Sequence, residues 1–179
     1  MSVQVAEFVD LRDGTTGGQF TIGDRKKIKS ISDLDPMYRR LMDEAIPVTI
    51  AVMGNIGRPN LTPMWFDYEG DQILINVAEH RKKTGWLRKN PQFTMMLINP
   101  KEMYHWIQFK GTVVEEIHED NPVNGPAVIE HVNKISKKYI NVDEYPLRDP
   151  SFEEKRILFK ARVDNVATFG VYDWDTWDQ

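Results

Sequence analysis

Residues 79 to 91 read Glu79-His80-Arg81-Lys82-Lys83-Thr84-Gly85-Trp86-Leu87-Arg88-Lys89-Asn90-Pro91, a basic cluster opening a short helical segment in a chain of net charge −4. Cations in a first helical turn meet unpaired N–H groups and the positive end of the macrodipole, at a cost of roughly 0.3–1 kcal/mol each where exposed. A bound phosphate reverses the sign, because amides and cationic side chains then converge on one anion. The cluster therefore reads as a phosphate seat. A solvated basic face is the alternative for any charge run, so the neighbouring segments decide.

Two of those segments add chemistry. Pro63 interrupts the strand pattern Thr62-Pro63-Met64-Trp65-Phe66-Asp67. Proline cannot donate to a ladder, so this stretch is expected at an edge or bulge with free backbone groups. Free amides and carbonyls beside apolar side chains suit a flat heteroaromatic ring read along one edge. The next strand, Gln72-Ile73-Leu74-Ile75-Asn76-Val77, carries Asn76 near its end, able to bond a polyol or phosphate oxygen. A ring-reading strand, a neighbouring strand and a phosphate seat, in that order, would hold a phosphorylated cofactor.

The elements that position these residues follow from pattern. Asp33 or Asp35 can cap a helix of about three turns beginning near Pro36, with Leu34, Met37, Leu41 and Ala45 as its apolar stripe. Ile46 to Met53 alternates as a strand, Gly54 to Asn60 turns, Leu61 to Tyr68 is a second extended run, and Glu69-Gly70-Asp71 leads into the third. Phe93 to Ile98 and His105 to Ile117 are two more strands, with Gly111 marking a bulge. The longest helix is expected from Asn121-Pro122, burying Val128, Val132, Ile135 and Tyr139. Arg156 to Val163 and Val166 to Val171 return to strand. Six or seven strands, short links and no βαβ alternation indicate a mainly antiparallel barrel with two or three appended helices. The expected organisation is an N-terminal arm over 1–31, a cofactor-binding domain over 32–171 and an aromatic, acidic tail over 172–179.

Composition narrows the function classes. A chain of 179 residues suits one domain with a full core. An acidic balance argues against general nucleic-acid binding, which needs a long basic footprint. Without cysteine there are no disulfides or thiolate metal sites. His80, His105, His118 and His131 lack metal-ligand spacing. No apolar run approaches a membrane span, and no signal-peptide core appears before Lys29. A cytoplasmic, soluble protein is expected.

The run Gly57-Arg58-Pro59, Thr62-Pro63-Met64-Trp65-Phe66-Asp67-Tyr68-Glu69-Gly70-Asp71, then Arg81-x-Lys83-x-x-x-Leu87-x-x-Asn90-Pro91 and Ile107-Gln108-Phe109-Lys110-Gly111-Thr112-Val113 resembles the pyridoxamine 5′-phosphate oxidase-like split barrels. The likeness is greatest to the branch that uses the 8-hydroxy-5-deazaflavin coenzyme F-420. It implies a six-stranded split β-barrel, also known as the FMN-binding split barrel, that dimerises with two cofactors in grooves between subunits. Carried over by position, Arg81 and Lys83 would bind the cofactor phosphate, and Thr62, Pro63 and Met64 would line the ring through their backbone. Asn76 and Val77 would touch the ribityl chain, and Gln108 would lie near the partner subunit's cofactor. Trp86, just after the phosphate seat, is the aromatic residue best placed to contact the cofactor. Arg81-Lys82-Lys83 resembles the deazaflavin pattern more than the Ser/Thr-Arg-Lys of many flavin mononucleotide (FMN) binders. The C-terminus lacks the arginine motif of vitamin B6 oxidases.

The resemblance implies a flavin- or deazaflavin-dependent oxidoreductase acting on a small unsaturated organic substrate. The alternatives are an FMN enzyme of the same fold and a non-catalytic cofactor- or haem-binding protein. In the tail, Tyr172, Trp174 and Trp177 are expected to pack on the barrel or across a dimer, since three exposed rings would forgo burial of roughly 1.5–3 kcal/mol each.

Overall fold

The computed structural model describes residues 3–8 and 22–170, with side chains from Ile28 onward. Its strands are β1 (Val3–Phe8), β2 (Ile22–Ile28), β3 (Val48–Met53), β4 (Pro59–Met64), β5 (Asp67–Glu69), β6 (Gln72–Ala78), β7 (Gln92–Asn99), β8 (Glu102–His118) and β9 (Arg156–Phe169). Three α-helices accompany them: α1 (Pro36–Asp43), α2 (Lys82–Lys89) and α3 (Pro126–Ile140). The expected tail, residues 172–179, and the glycine run from Gly14 to Gly18 lie outside the described residues.

Strand β9 organises the sheet. It pairs with β8 along one side, while its other side takes β6 over Arg156–Arg162 and then β1, in parallel, over Asn165–Thr168. The main path runs β2-β1-β9-β8-β7-β3-β4, and β6 with β5 branches from β9. A mainly antiparallel α+β fold is thus present, but the strand number of the expected six-stranded split barrel needs correction. Nine strands are described, and no ladder joins β4 to β6. The barrel wall is left open along that seam.

Local chemistry accounts for the other departures. Asp35 caps α1 by accepting from Met37 N at 3.0 Å, with Pro36 in the first turn. The helix has eight residues rather than three turns and buries Tyr38, Leu41 and Met42, while Ala45 is exposed. Asp33 instead closes a capping box with Ser30 on the 3-10 turn before it. Asn121 accepts from Val123 N and Asn124 N in a turn, so α3 starts only at Pro126. Tyr139 is half-buried; His131 and Ser136 join Val128, Val132 and Ile135 on the buried stripe. The run from Leu61 to Tyr68 splits at Trp65-Phe66, and the two segments anticipated after Arg156 form one bent strand. Within the N-terminal thirty residues, β1 and β2 add to the sheet at β9.

Gly111 does mark a register shift between β8 and β9. A Cβ there would stand 2.5 Å from the Phe93 ring and 3.0 Å from Arg162 O, so the bend also brings strands into close approach. The core fills the inside of the curved sheet with Val48, Ile50, Met95, Leu97, Phe109 and Phe159 among others. Strand β6 is buried on both faces because α3 covers its outer side, where Val128 packs with Leu74, Ile117 and Leu158. No helix among the described residues is long and apolar enough to cross a membrane.

Candidate functional site

The open seam between β4 and β6 is a cavity of about 820 Å³, within the range of small-molecule and cofactor sites. One wall is edge strand β4, contributing Asn60, Thr62, Pro63 and Met64, followed by Trp65. The facing wall is the end of β6, with Asn76, Val77 and Ala78, and the start of α2, with Arg81, Lys82, Lys83 and Trp86. Helix α3 and the 141–155 loop close the inner end with Ile135, Tyr145, Leu147 and Glu154, beside Arg156 from β9.

Two local features set the edge strand. Pro63 pairs with Thr49 of β3 and has no neighbour strand on its other side among the described residues, the placement that a proline inside a strand requires. After Met64, the chain breaks away to form β5, and Tyr139 of α3 fixes that break. Its hydroxyl donates to Ile46 O at 2.8 Å and accepts from Phe66 N at 2.9 Å. Its ring stacks on Trp65 with centroids 5.3 Å apart. Burial pushes the Tyr139 phenol up to about 12, so the hydroxyl keeps its proton in ordinary buffers.

The start of α2 gathers cationic side chains at the cavity wall. Thr84 anchors it by donating to Ala78 O at 3.0 Å, and the N-cap residue Arg81 makes no side-chain capping bond among the described residues. Arg81 and Lys83 have no carboxylate within ion-pairing distance among the described residues, and among those residues the hydrogen-bond partner of the Lys83 amine is Met64 Sδ, at 4.0 Å. Burial, reinforced by the adjacent Arg81 charge, lowers the Lys83 pKa to about 8. Two underpartnered cations beside free helix amides fit a phosphate better than any neutral group.

Eight of the nine residues singled out from sequence line this one cavity: Thr62, Pro63, Met64, Asn76, Val77, Arg81, Lys83 and Trp86. Gln108 does not. It sits mid-strand in β8 between Met96 and Ala167, outside the cavity. Asn76 is present but committed: its amide donates to Val128 O at 2.9 Å and accepts from Arg156 Nε at 2.6 Å. A polyol contact from that side chain would cost both bonds. Arg88 is held by Glu116 at 2.6 Å and Glu79 at 2.9 Å, while Lys89 donates to Asn55.

Among the remaining histidines, His80 lines the cavity mouth against Phe152, whereas His105 is fully buried beside Asn99 and Tyr38. Arg148 makes a two-bond contact with Glu119. Sequence reasoning missed Arg156. Its guanidinium is buried, paired with Glu154 at 3.1 Å and stacked over the Tyr145 ring at 4.6 Å. The Glu154-x-Arg156 spacing, two residues apart at a strand start, was the available signal, since such a pair shares one face.

Solved structures share this architecture. An F-420 reductase matches with a TM-score of 0.58 at 20% identity, over 74% of this chain and 98% of that one. A putative pyridoxamine 5′-phosphate oxidase from Listeria innocua matches at 0.51 and 13% identity, over 73% and 93%. The haem storage protein HutZ from Vibrio cholerae matches at 0.52 and 16% identity, over 76% and 95%. At these identities the likeness establishes the fold alone. No curated protein sequence matches the chain. Residues 34–168, spanning α1, the cavity walls and most of β9, match the pyridoxamine 5′-phosphate oxidase family, and the chain belongs to that family.

Proposed function

We propose that this protein is a homodimeric oxidoreductase that binds a phosphorylated flavin-type cofactor in the β4–β6 cavity and uses it to transfer hydride to a small unsaturated organic substrate. The observation that carries the reading is the pair Arg81 and Lys83, without carboxylate partners among the described residues, at the start of α2 inside a cavity of cofactor size. The ring, when bound, supplies the hydride chemistry. The chain's own residues bind and orient. Arg81, Lys83 and the α2 amides hold the phosphate, the free edge of β4 faces the ring, and Trp86 and Met64 exclude water around it.

Coenzyme F-420 is our preferred cofactor, on the Arg81-Lys82-Lys83 pattern and the fold shared with an F-420 reductase. The ion pairs of Arg88 keep that cation from serving a longer anionic tail on the cofactor. FMN in the same seat is the alternative. Dimerisation is supported by the outer face of β7, β8 and β9, where Met96, Ile98, Trp106 and Phe169 flank Gln108 in register. That face would bring Gln108 to the partner's cofactor.

Titrating cofactor-free protein with each cofactor, read by tryptophan quenching, tests the assignment. Saturable binding of F-420 tighter than FMN is expected. Binding of neither would sink the proposal, and tight binding without oxidation by any acceptor would favour a carrier.

A further inference from the structure

We propose that Lys83, in the cofactor-free protein, is a nucleophile that captures anionic aldehydes and ketones as imines, with Arg81 and the start of α2 seating the anion. A lysine amine becomes nucleophilic when it is desolvated or placed beside another cation, because either destabilises its protonated form. Lys83 meets both conditions. It is half-buried in the cavity wall, its amine touches the Met64 thioether, and Arg81 lies two residues away.

Other lysines in the chain are placed differently. Lys134 binds Asp67 at 2.7 Å, Lys137 binds Asp143 at 2.9 Å, and Lys160 binds Glu115 at 3.3 Å. Lys138 donates to Met42 O, and Lys82 and Lys89 are exposed. The charged and titratable groups that share the cavity with Lys83 are His80, Arg81, Lys82, Tyr145 and the Glu154–Arg156 pair. The one carboxylate among them is already neutralised by Arg156. Nothing there holds the amine as an ion pair.

The chemistry balances without an oxidant. The neutral Nζ adds to the carbonyl carbon, the carbonyl oxygen takes up a proton, and the resulting carbinolamine loses one water to leave a C=N bond. A carboxylate or phosphate elsewhere on the ligand rests against Arg81 and the α2 amides. Capture uses the seat assigned above to the cofactor phosphate, but it does not depend on which cofactor binds there.

The test is reductive trapping. Full-length, cofactor-free protein is incubated with 4-formylbenzoate and cyanoborohydride near neutral pH, and labelled lysines are identified by peptide mass. Lys83 should label at least about tenfold faster than Lys82 or Lys89. That preference should shrink with uncharged benzaldehyde and in Arg81→Gln, and Lys83→Arg should abolish the label at this position. Equal labelling of Lys83 and the exposed lysines would overturn the proposal, as would the same preference with both aldehydes. Saturating F-420 or FMN separates this inference from the phosphate assignment. Selective labelling that persists in protein shown to be saturated with F-420 or FMN refutes the phosphate seat and leaves capture standing, whereas unselective labelling in protein that binds either cofactor refutes capture alone.

Discussion

Lys83 concentrates the site's electrostatics in one side chain. Its pKa near 8 reflects burial and the neighbouring Arg81, and a phosphate bound beside it would favour the protonated form and raise that value. Below about pH 8 the amine is already protonated, so affinity for a phosphorylated cofactor should be nearly independent of Lys83 ionisation. Above it, binding must take up a proton, and affinity should fall about tenfold per pH unit until the bound-state pKa is reached. Titrations across this range check the sign, and Lys83→Arg should flatten the profile. Lys83→Ala should weaken binding by roughly 1.5–3 kcal/mol through loss of one charge-assisted contact. Arg88→Ala, by contrast, should leave cofactor affinity unchanged, because Arg88 is engaged with Glu116 and Glu79.

At the scale of elements, α3 sets the shape of the cavity from behind. Tyr139 ties Ile46 and Phe66 together and supports Trp65, so Tyr139→Phe leaves a backbone amide and a carbonyl short of a partner. A loss of about 1–3 kcal/mol in urea unfolding is expected. One turn or two before it, Lys134 and His131 hold Asp67, the first residue of β5, at 2.7 and 3.4 Å. Burial alone would raise the Asp67 pKa, but the Lys134 ion pair and hydrogen bond, with the His131 ring 3.4 Å away, outweigh it and bring the value down to about 2. A depressed carboxylate pKa contributes stability that is fully present above about pH 4 and is lost as pH falls toward 2. Asp67→Asn should therefore flatten this part of the acid limb of a stability–pH curve.

For the whole molecule, the absence of a β4–β6 ladder is the defining feature, because it turns a potential barrel wall into a cofactor-sized cleft. The outer face of β7 and β8 is the second. Its apolar residues stand on the side opposite the core, with Ile98 41% exposed. If that face forms the dimer, Ile98→Glu should yield monomers by sedimentation and weaken cofactor binding as well. Monomers that bind cofactor with full affinity would show that the site is complete within one chain.

The chain's own pattern determined the cavity's ingredients. Alternation located most strands, Pro63 demanded an edge, Gly111 a bend, and residues 81–83 put a group of cations at the start of α2. These are local rules, acting over a few residues, and they survive folding. Tertiary structure decided which ingredients stay available. Only packing could show that Arg88 meets Glu116 from β8, that Asn76 is claimed by Arg156 eighty residues later, and that β4 and β6 remain unpaired. Those outcomes depend on contacts between segments far apart in sequence, where hydrogen-bond partners and burial are fixed by the fold and leave no periodic trace in the chain.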